Sequence, residues 1–154
     1  MIKIIAYGFF KNNNLKPIFE DYKKRISRYY KLELIELKEI PVKKNQNIKN
    51  ILKKEAEQLE EIIKKSKGIV YLLSEWGKEY ETIKFSNLIF NHIHNSENIT
   101  FILGSAHGFD RDFLKKHKSI SLSQMTFPHL IARVMLIEQI YRAVTLEKNI
   151  DYHK

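Results

Sequence analysis

Four charged or imidazole side chains, His129, Arg133, Glu138 and Arg142, punctuate a largely apolar stretch from Pro128 to Thr145. At ~100° per residue, His129 and Arg133 fall on one edge of a helix, and Glu138 and Arg142 on nearly the opposite edge. Each pair has the i,i+4 spacing at which helical side chains meet. Two kinds of chemistry fit. The pairs can be internal hydrogen bonds that hold a buried helix, or the arginines can address phosphates. The chain then runs to Asp151-Tyr152-His153-Lys154. Such tails usually fray. This one also has the parts to reach over a site: an aromatic platform for a base, a titratable imidazole and a cation for a phosphate.

Two loops add to these. Gly104-Ser105-Ala106-His107-Gly108 follows the apolar run Ile99–Leu103. It is either a sharp turn or a backbone cradle, because glycines let a ligand approach main-chain groups. Ser121-Leu122-Ser123-Gln124-Met125-Thr126-Phe127 reads as a surface loop or as a mixed pocket for a purine and a sulfur centre. Other chemistries are poorly served. No Gly-x-Gly-x-x-Gly follows the first apolar run, and no P-loop pattern occurs. Ser105 stands one place too early for a nucleophile elbow, and Ser105 and His107 are too close in sequence to converge readily as a hydrolase pair. His92 and His94, at i and i+2 of a predicted helix, point apart, which favours surface histidines over a metal site. The absence of cysteine excludes disulfides and Cys-based zinc. No metal is expected.

The elements that must position these residues follow from composition and periodicity. The 154 residues are 44% hydrophobic and 29% charged, which suits one globular domain over residues 1–154 and excludes a disordered or collagenous chain. No apolar run approaches the ~20 residues of a membrane span, and Met1–Gly8 is too short and β-like for a signal peptide. A cytoplasmic protein without membrane contact is predicted. The net charge of +9 attracts polyanions, although a lysine-rich surface alone would give the same sum. Strands are predicted at Ile2–Tyr7, Leu32–Ile40, Gly68–Ser74, Ile99–Leu103 and Ser119–Leu122. Helices are predicted at Leu15–Tyr30, Ile48–Lys65, Thr82 (as cap) to about His94, Asp110–His117 and Pro128–Thr145. Residues 41–47 read as a polar loop, and Glu75–Glu81 as a turn. Alternating strands and helices give an α/β fold with a mostly parallel sheet flanked by helices. Ligands in such sheets lie beyond the carboxyl ends of the strands, here Leu73–Lys78, Gly104–Gly108 and Leu122–Phe127. The last helix is apolar almost all round, as expected of a helix buried on more than one side, with the core on one side and a partner subunit on the other.

The run from Ser121 to His129, followed by Arg133-Val134, Glu138-Gln139-x-Tyr141-Arg142-Ala143 and a terminal Tyr152-His153-Lys154, closely resembles the RlmH family of small SPOUT-class methyltransferases. Leu103-Gly104-Ser105 and Leu73-x-x-x-Gly77-Lys78 fit its two other ligand loops, so the resemblance spans essentially the whole chain. It implies a SPOUT fold with a C-terminal trefoil knot and a homodimer. It implies S-adenosylmethionine bound by Leu73, Gly104, Leu122, Ser123, Gln124, Met125, Thr126 and Phe127. The implied reaction is methylation of N3 of a pseudouridine in 23S rRNA of the assembled ribosome.

That reaction removes the N3 proton, which calls for a general base. His153 is the candidate, with Tyr152 as platform or hydrogen-bond partner. Glu138 is a second candidate base, or orients Arg142. His129, Arg133, Arg142 and Lys154 are expected to hold the RNA. A ribosome-binding module without catalysis is the rival reading.

Overall fold

The computed structural model describes residues 1–11, 14–42 and 47–153. Strands and helices alternate along them. In the first half these are β1 (Ile2–Tyr7), α1 (Leu15–Ser27), β2 (Leu32–Leu37), α2 (Ile48–Lys65) and β3 (Ile69–Glu79). The second half holds α3 (Thr82–His94), β4 (Ile99–Leu103), α4 (Arg111–Lys116), β5 (Ser119–Ser121) and α5 (His129–Glu147). The strands form one sheet in the order β2-β1-β4-β3-β5, and every pairing is parallel.

Side chains alternate across a strand with period two, and the core divides accordingly. Ile2, Ile4 and Ala6 of β1 and Ile99, Phe101 and Leu103 of β4 point to one face. Phe19 and Ile26 of α1, Phe85 and Ile89 of α3, and Leu136 and Ile140 of α5 cover them. Ile5, Tyr7 and Ile102 point to the other face, under Leu59 of α2 and Phe113 of α4. Both faces are roofed, so the strands read as continuous apolar runs. Asn47 caps α2 by accepting from Lys49 N at 2.9 Å. Asp110 caps α4 by accepting from Asp112 N and Phe113 N, which satisfies amides with no partner inside the helix.

Several boundaries differ from expectation. β2 ends at Leu37, not Ile40, because its partner β1 stops at Tyr7 and Gly8 turns away with φ +81°. α1 ends at Ser27; Tyr29 N and Tyr30 N both turn back to Ile26 O. Thr82 is the first residue of α3 and makes no capping bond, the cap position being Glu81. Residues 43–46 of the expected polar loop lie outside the described residues. The larger correction is at residues 75–81. β3 runs on to Glu79 through an irregularity: Leu73 pairs with Ile120, and so does Lys78. The residues between them arch out, carrying Trp76, 67% exposed, into contact with Arg111. Gly77 allows the strand to close again, since a Cβ there would lie 2.4 Å from the Ile120 backbone.

α5 packs against α1 and α3. It ends in a left-handed Asn149, φ 52°, with Ile150 N donating to Thr145 O at 2.8 Å. This reversal closes the helix and turns residues 151–153 back along it. Among the described residues, no helix is long and apolar enough to cross a membrane.

Gly77→Ala should force β3 away from β5 and lower stability by about 1–3 kcal/mol, the range for overpacking. The midpoint of urea unfolding measures this.

Candidate active site

β4 lies between β1 and β3. The chain leaves β1 and β3 for helices on one face and leaves β4 for α4 on the other. Connections that part in this way leave a crevice at the carboxyl ends of the strands. A cavity of about 590 Å³ opens there. Its walls come from three segments, which supply Leu73, Gly104, Leu122, Ser123, Met125, Thr126 and Phe127. These expected residues therefore meet in one place. Gln124 does not join them; it is exposed and does not line the cavity. His129, at the start of α5, lines it as well. Serine hydroxyls hold the third loop in shape: Ser121 Oγ donates to Ser123 O at 2.7 Å, and Ser123 Oγ accepts from Met125 N at 3.1 Å.

The Gly104–Gly108 loop closes on itself. Ser105 and Gly108 form a bridge, and a Cβ at Gly104 would lie 2.7 Å from Gly108 O. Ser105 is buried, and its hydroxyl donates to Glu55 Oε2 at 2.8 Å. That proton is directed away from His107, which removes the geometry a serine hydrolase would need. Burial pushes the Glu55 carboxyl above its ordinary range, while the Ser105 hydroxyl and the Ile40 amide pull it back. Glu55 sits at the centre of the apolar face of α2, four residues from both Ile51 and Leu59. A carboxylate in the middle of an apolar stripe was the sequence signal for this buried pair.

Arg133 is fully buried. It does not pair with His129 as the i,i+4 spacing suggested. Its NH1 donates to Glu36 Oε1 at 2.7 Å, and its NH2 to Tyr7 O at 2.8 Å and Gly8 O at 3.2 Å. The guanidinium also lies 4.6 Å from the centre of the Phe10 ring. Burial draws it below its usual value, and Glu36 holds it back. A phosphate has no access to it, so its expected contact with RNA is corrected to an internal anchor. Glu36 interrupts the apolar strand Leu32–Leu37, and it too was legible as a partner for a buried cation.

The second expected pair on α5 does form. Arg142 Nε donates to Glu138 Oε1 at 3.1 Å, and that contact raises the guanidinium above its ordinary value. The returning tail joins it. Tyr152 OH donates to the same Glu138 oxygen at 3.1 Å and lies 3.3 Å from Tyr22 OH. Arg142 NH1 is 3.4 Å from His153 Nδ1. Burial, then the contacts with Tyr22 and Glu138, push the Tyr152 phenol up. Tyr22 was not foreseen. Lys154 lies outside the described residues.

The candidate residues thus form two groups. One lines the cavity as far along α5 as Ala132. The other begins at Glu138 and centres on Arg142, ten residues beyond Ala132, or roughly 15 Å along a helix axis. The two histidines of α3 take structural roles: His92 Nδ1 is 2.6 Å from Glu97 and His94 Nε2 is 2.9 Å from Glu147. Among the described residues no cluster of three or more acidic or histidine side chains could hold a metal.

Comparison with known proteins adds to this geometry. A family model described as a predicted SPOUT methyltransferase matches residues 1–153. A protein of Caldicellulosiruptor saccharolyticus named ribosomal RNA large subunit methyltransferase H is 39% identical over 156 residues, covering all of both chains. A protein of the same name from Mycoplasmopsis synoviae is 43% identical, over 99% of each chain. A methylase family protein of Neisseria gonorrhoeae of known crystal structure superposes with a TM-score of 0.52 at 9% identity, over 99% of this chain and 86% of that one. At that identity it supports the fold alone.

Arg133→Ala should lower stability by about 3–5 kcal/mol, because Glu36 and two carbonyls lose their donors inside the fold. Arg133→Lys should recover only part of that loss, since one ammonium cannot reproduce the fork. Equilibrium denaturation measures both. A carboxyl raised by folding binds its proton more readily in the folded chain. Stability from Glu55 is therefore full below its unfolded pKa and falls as pH rises through the raised folded value. Glu55→Gln should flatten that fall in a series of denaturation curves across the carboxylate range.

Proposed function

The chain belongs to the SPOUT methyltransferase family, and from that premise we propose that it methylates large-subunit ribosomal RNA, the activity its relatives are named for. The reading in full is transfer from S-adenosylmethionine to N3 of a pseudouridine in 23S rRNA of the assembled ribosome. The observation that carries it is the convergence of Leu73, Gly104 and the Leu122–Phe127 loop on one cavity.

The cavity suits S-adenosylmethionine. Leu73, Leu103, Met125 and Phe127 offer apolar walls for a purine. A Cβ added at Gly108 would meet nothing within 4 Å, so bare backbone faces the space there. The volume lies in the range of small-molecule sites. When bound, S-adenosylmethionine supplies a methyl group made electrophilic by its sulfonium. Leu73, Gly104 and the third loop would hold it and exclude water.

The tail cluster handles the proton. Glu138 is saturated: Oε1 accepts from Arg142 and Tyr152, and Oε2 from Gln139 Nε2 at 2.7 Å. It orients its neighbours rather than serving as base. Tyr152 keeps its proton and donates it to Glu138. An arginine N–H only donates, so His153 Nδ1 faces Arg142 as an acceptor. That contact engages the ring's accepting nitrogen, so in this reading His153 acts as the base when its Nδ1 exchanges Arg142 for the N3–H of the substrate. Arg142 and His129 face the RNA.

Cavity and tail lie apart in one chain, which supports a homodimer in which the tail of one copy reaches the cavity of the other. Ile131 of α5, 41% exposed, leaves apolar surface for such a contact. We read the chain after β5 as threaded into the SPOUT trefoil knot. Its course from one sheet edge to a seat between α1 and α3 is compatible with this. The cytoplasm, where ribosomes assemble, is the proposed location.

The test is label transfer from S-adenosylmethionine to ribosomes lacking the modification, with fragments mapped by mass spectrometry. Label on a pseudouridine of 23S rRNA, in assembled ribosomes only, is expected; S-adenosylmethionine binding without transfer to any rRNA would refute the substrate. His153→Ala should reduce transfer by 100-fold or more, roughly the contribution of a general base, and leave S-adenosylmethionine affinity unchanged. Gly104→Ala should weaken that affinity directly, as measured by calorimetry.

A further inference from the structure

A second recess, of about 440 Å³, lies where the end of α1 meets α5. Its walls carry three cations, Lys24, Arg25 and Arg28, and two aromatic rings, Tyr29 and Tyr141. One acid, Asp21, is present, and it is bound to Arg25 at 2.8 Å. Arg25 is fixed further by the rings of Tyr141 and Tyr22, 5.7 and 6.0 Å away. Among the described residues, Lys24 and Arg28 have no acidic partner, and both are exposed. Tyr29 presents a ring that is 45% exposed. Cations at a helix C-terminus complement its dipole, but that effect asks for no aromatic walls and no recess. Free cations beside exposed rings are the elements of a single-strand binding surface.

The position of the recess gives it a role. Tyr141, part of its wall, packs edge-on against Tyr152 at a centroid distance of 4.9 Å. The recess therefore adjoins the tail cluster that removes the proton. An RNA strand that delivers a nucleotide to Tyr152 and His153 must pass close to it.

We propose that this recess docks the RNA strand next to the methylated nucleotide, with a phosphate between Lys24 and Arg28 and a base stacked on Tyr29. The inference rests on the functional reading above. Lys24 and Arg28 supply sequence-independent attraction, and Tyr29 accepts any base by its π-face. Arg25, held by Asp21 and Tyr141, shapes the wall.

The experiment measures methyl transfer to ribosomes across a salt series for the intact dimer, for a double variant Lys24→Ala/Arg28→Ala, and for Tyr29→Ala. A charge-matched control, Lys53→Ala/Lys54→Ala, changes exposed lysines of α2 on the other side of the sheet. The double variant should raise the KM for ribosomes at least several-fold with kcat unchanged. It should also make the slope of log(kcat/KM) against log salt shallower by about 0.7, the value for one neutralised phosphate on a single strand. Tyr29→Ala should raise KM without changing the slope, and the control should change neither. An unchanged slope and KM in the double variant would overturn the proposal. So would dissociation of the dimer by sedimentation, which would make the recess a contact between copies. Failure of the unsubstituted protein to methylate ribosomes would instead overturn the functional reading, and this inference with it.

Discussion

Arg133 is the interaction on which the arrangement turns. A guanidinium this deeply buried must be paired and hydrogen-bonded, or the fold would not tolerate it. Its partners are the end of β1, through the carbonyls of Tyr7 and Gly8, and the end of β2, through Glu36. The first turns of α5 are thereby tied to the carboxyl edge of the sheet. Glu36 Oε1 also accepts from Phe10 N at 3.0 Å, which extends the anchor to the loop after β1. Among the described residues, two buried atoms of this network, Arg133 Nε and Glu39 Oε1, find no hydrogen-bond partner. Opposite charges at close range compensate in part, since Glu39 supports the charged form of Arg133.

Consequences follow along the helix. With Arg133 fixed, His129 and Ala132 border the cavity, and Glu138 and Arg142 are carried well beyond it. The reversal at Asn149 then lays Tyr152 and His153 on Glu138 and Arg142, a docking far from the loops that would hold the methyl donor. The division of labour between cavity and tail is thus set by helix geometry. The proposed dimer would use that division, with the tail of one copy serving the cavity of the other. The basic recess between α1 and α5 lies on the tail's side of this division.

Much of this was legible in the sequence. Apolar runs and amphipathic stripes placed all ten elements, because parallel strands roofed on both sides leave a strong signal. The three loops that border the cavity were legible from their place at strand ends. The spacing offered an internal pair at both places; Glu138 and Arg142 form one, and His129 and Arg133 do not. Both have the same i,i+4 separation, and which one closes depends on whether a better acceptor approaches from elsewhere in the fold. Arg133 found Glu36, 97 positions away, a pairing no local pattern encodes. The extension of β3 past Ser74 escaped notice for a similar reason. Trp76, Gly77 and Lys78 look like a turn until β5 supplies the second half of the pairing. Glu55 and Glu36 were visible as acids in apolar settings, and only the tertiary structure gives them their partners.

In the proposed dimer, cavity and tail act together across two copies of the chain. This sharing is tested most directly by mixed dimers in which one copy carries Gly104→Ala and the other His153→Ala. Each variant alone should transfer methyl groups poorly. In the mixed dimer, one of the two sites pairs an intact cavity with an intact tail, and transfer to ribosomes should return at that site. Mixed dimers no more active than either parent would rule out sharing between copies and place both halves of the site in a single chain.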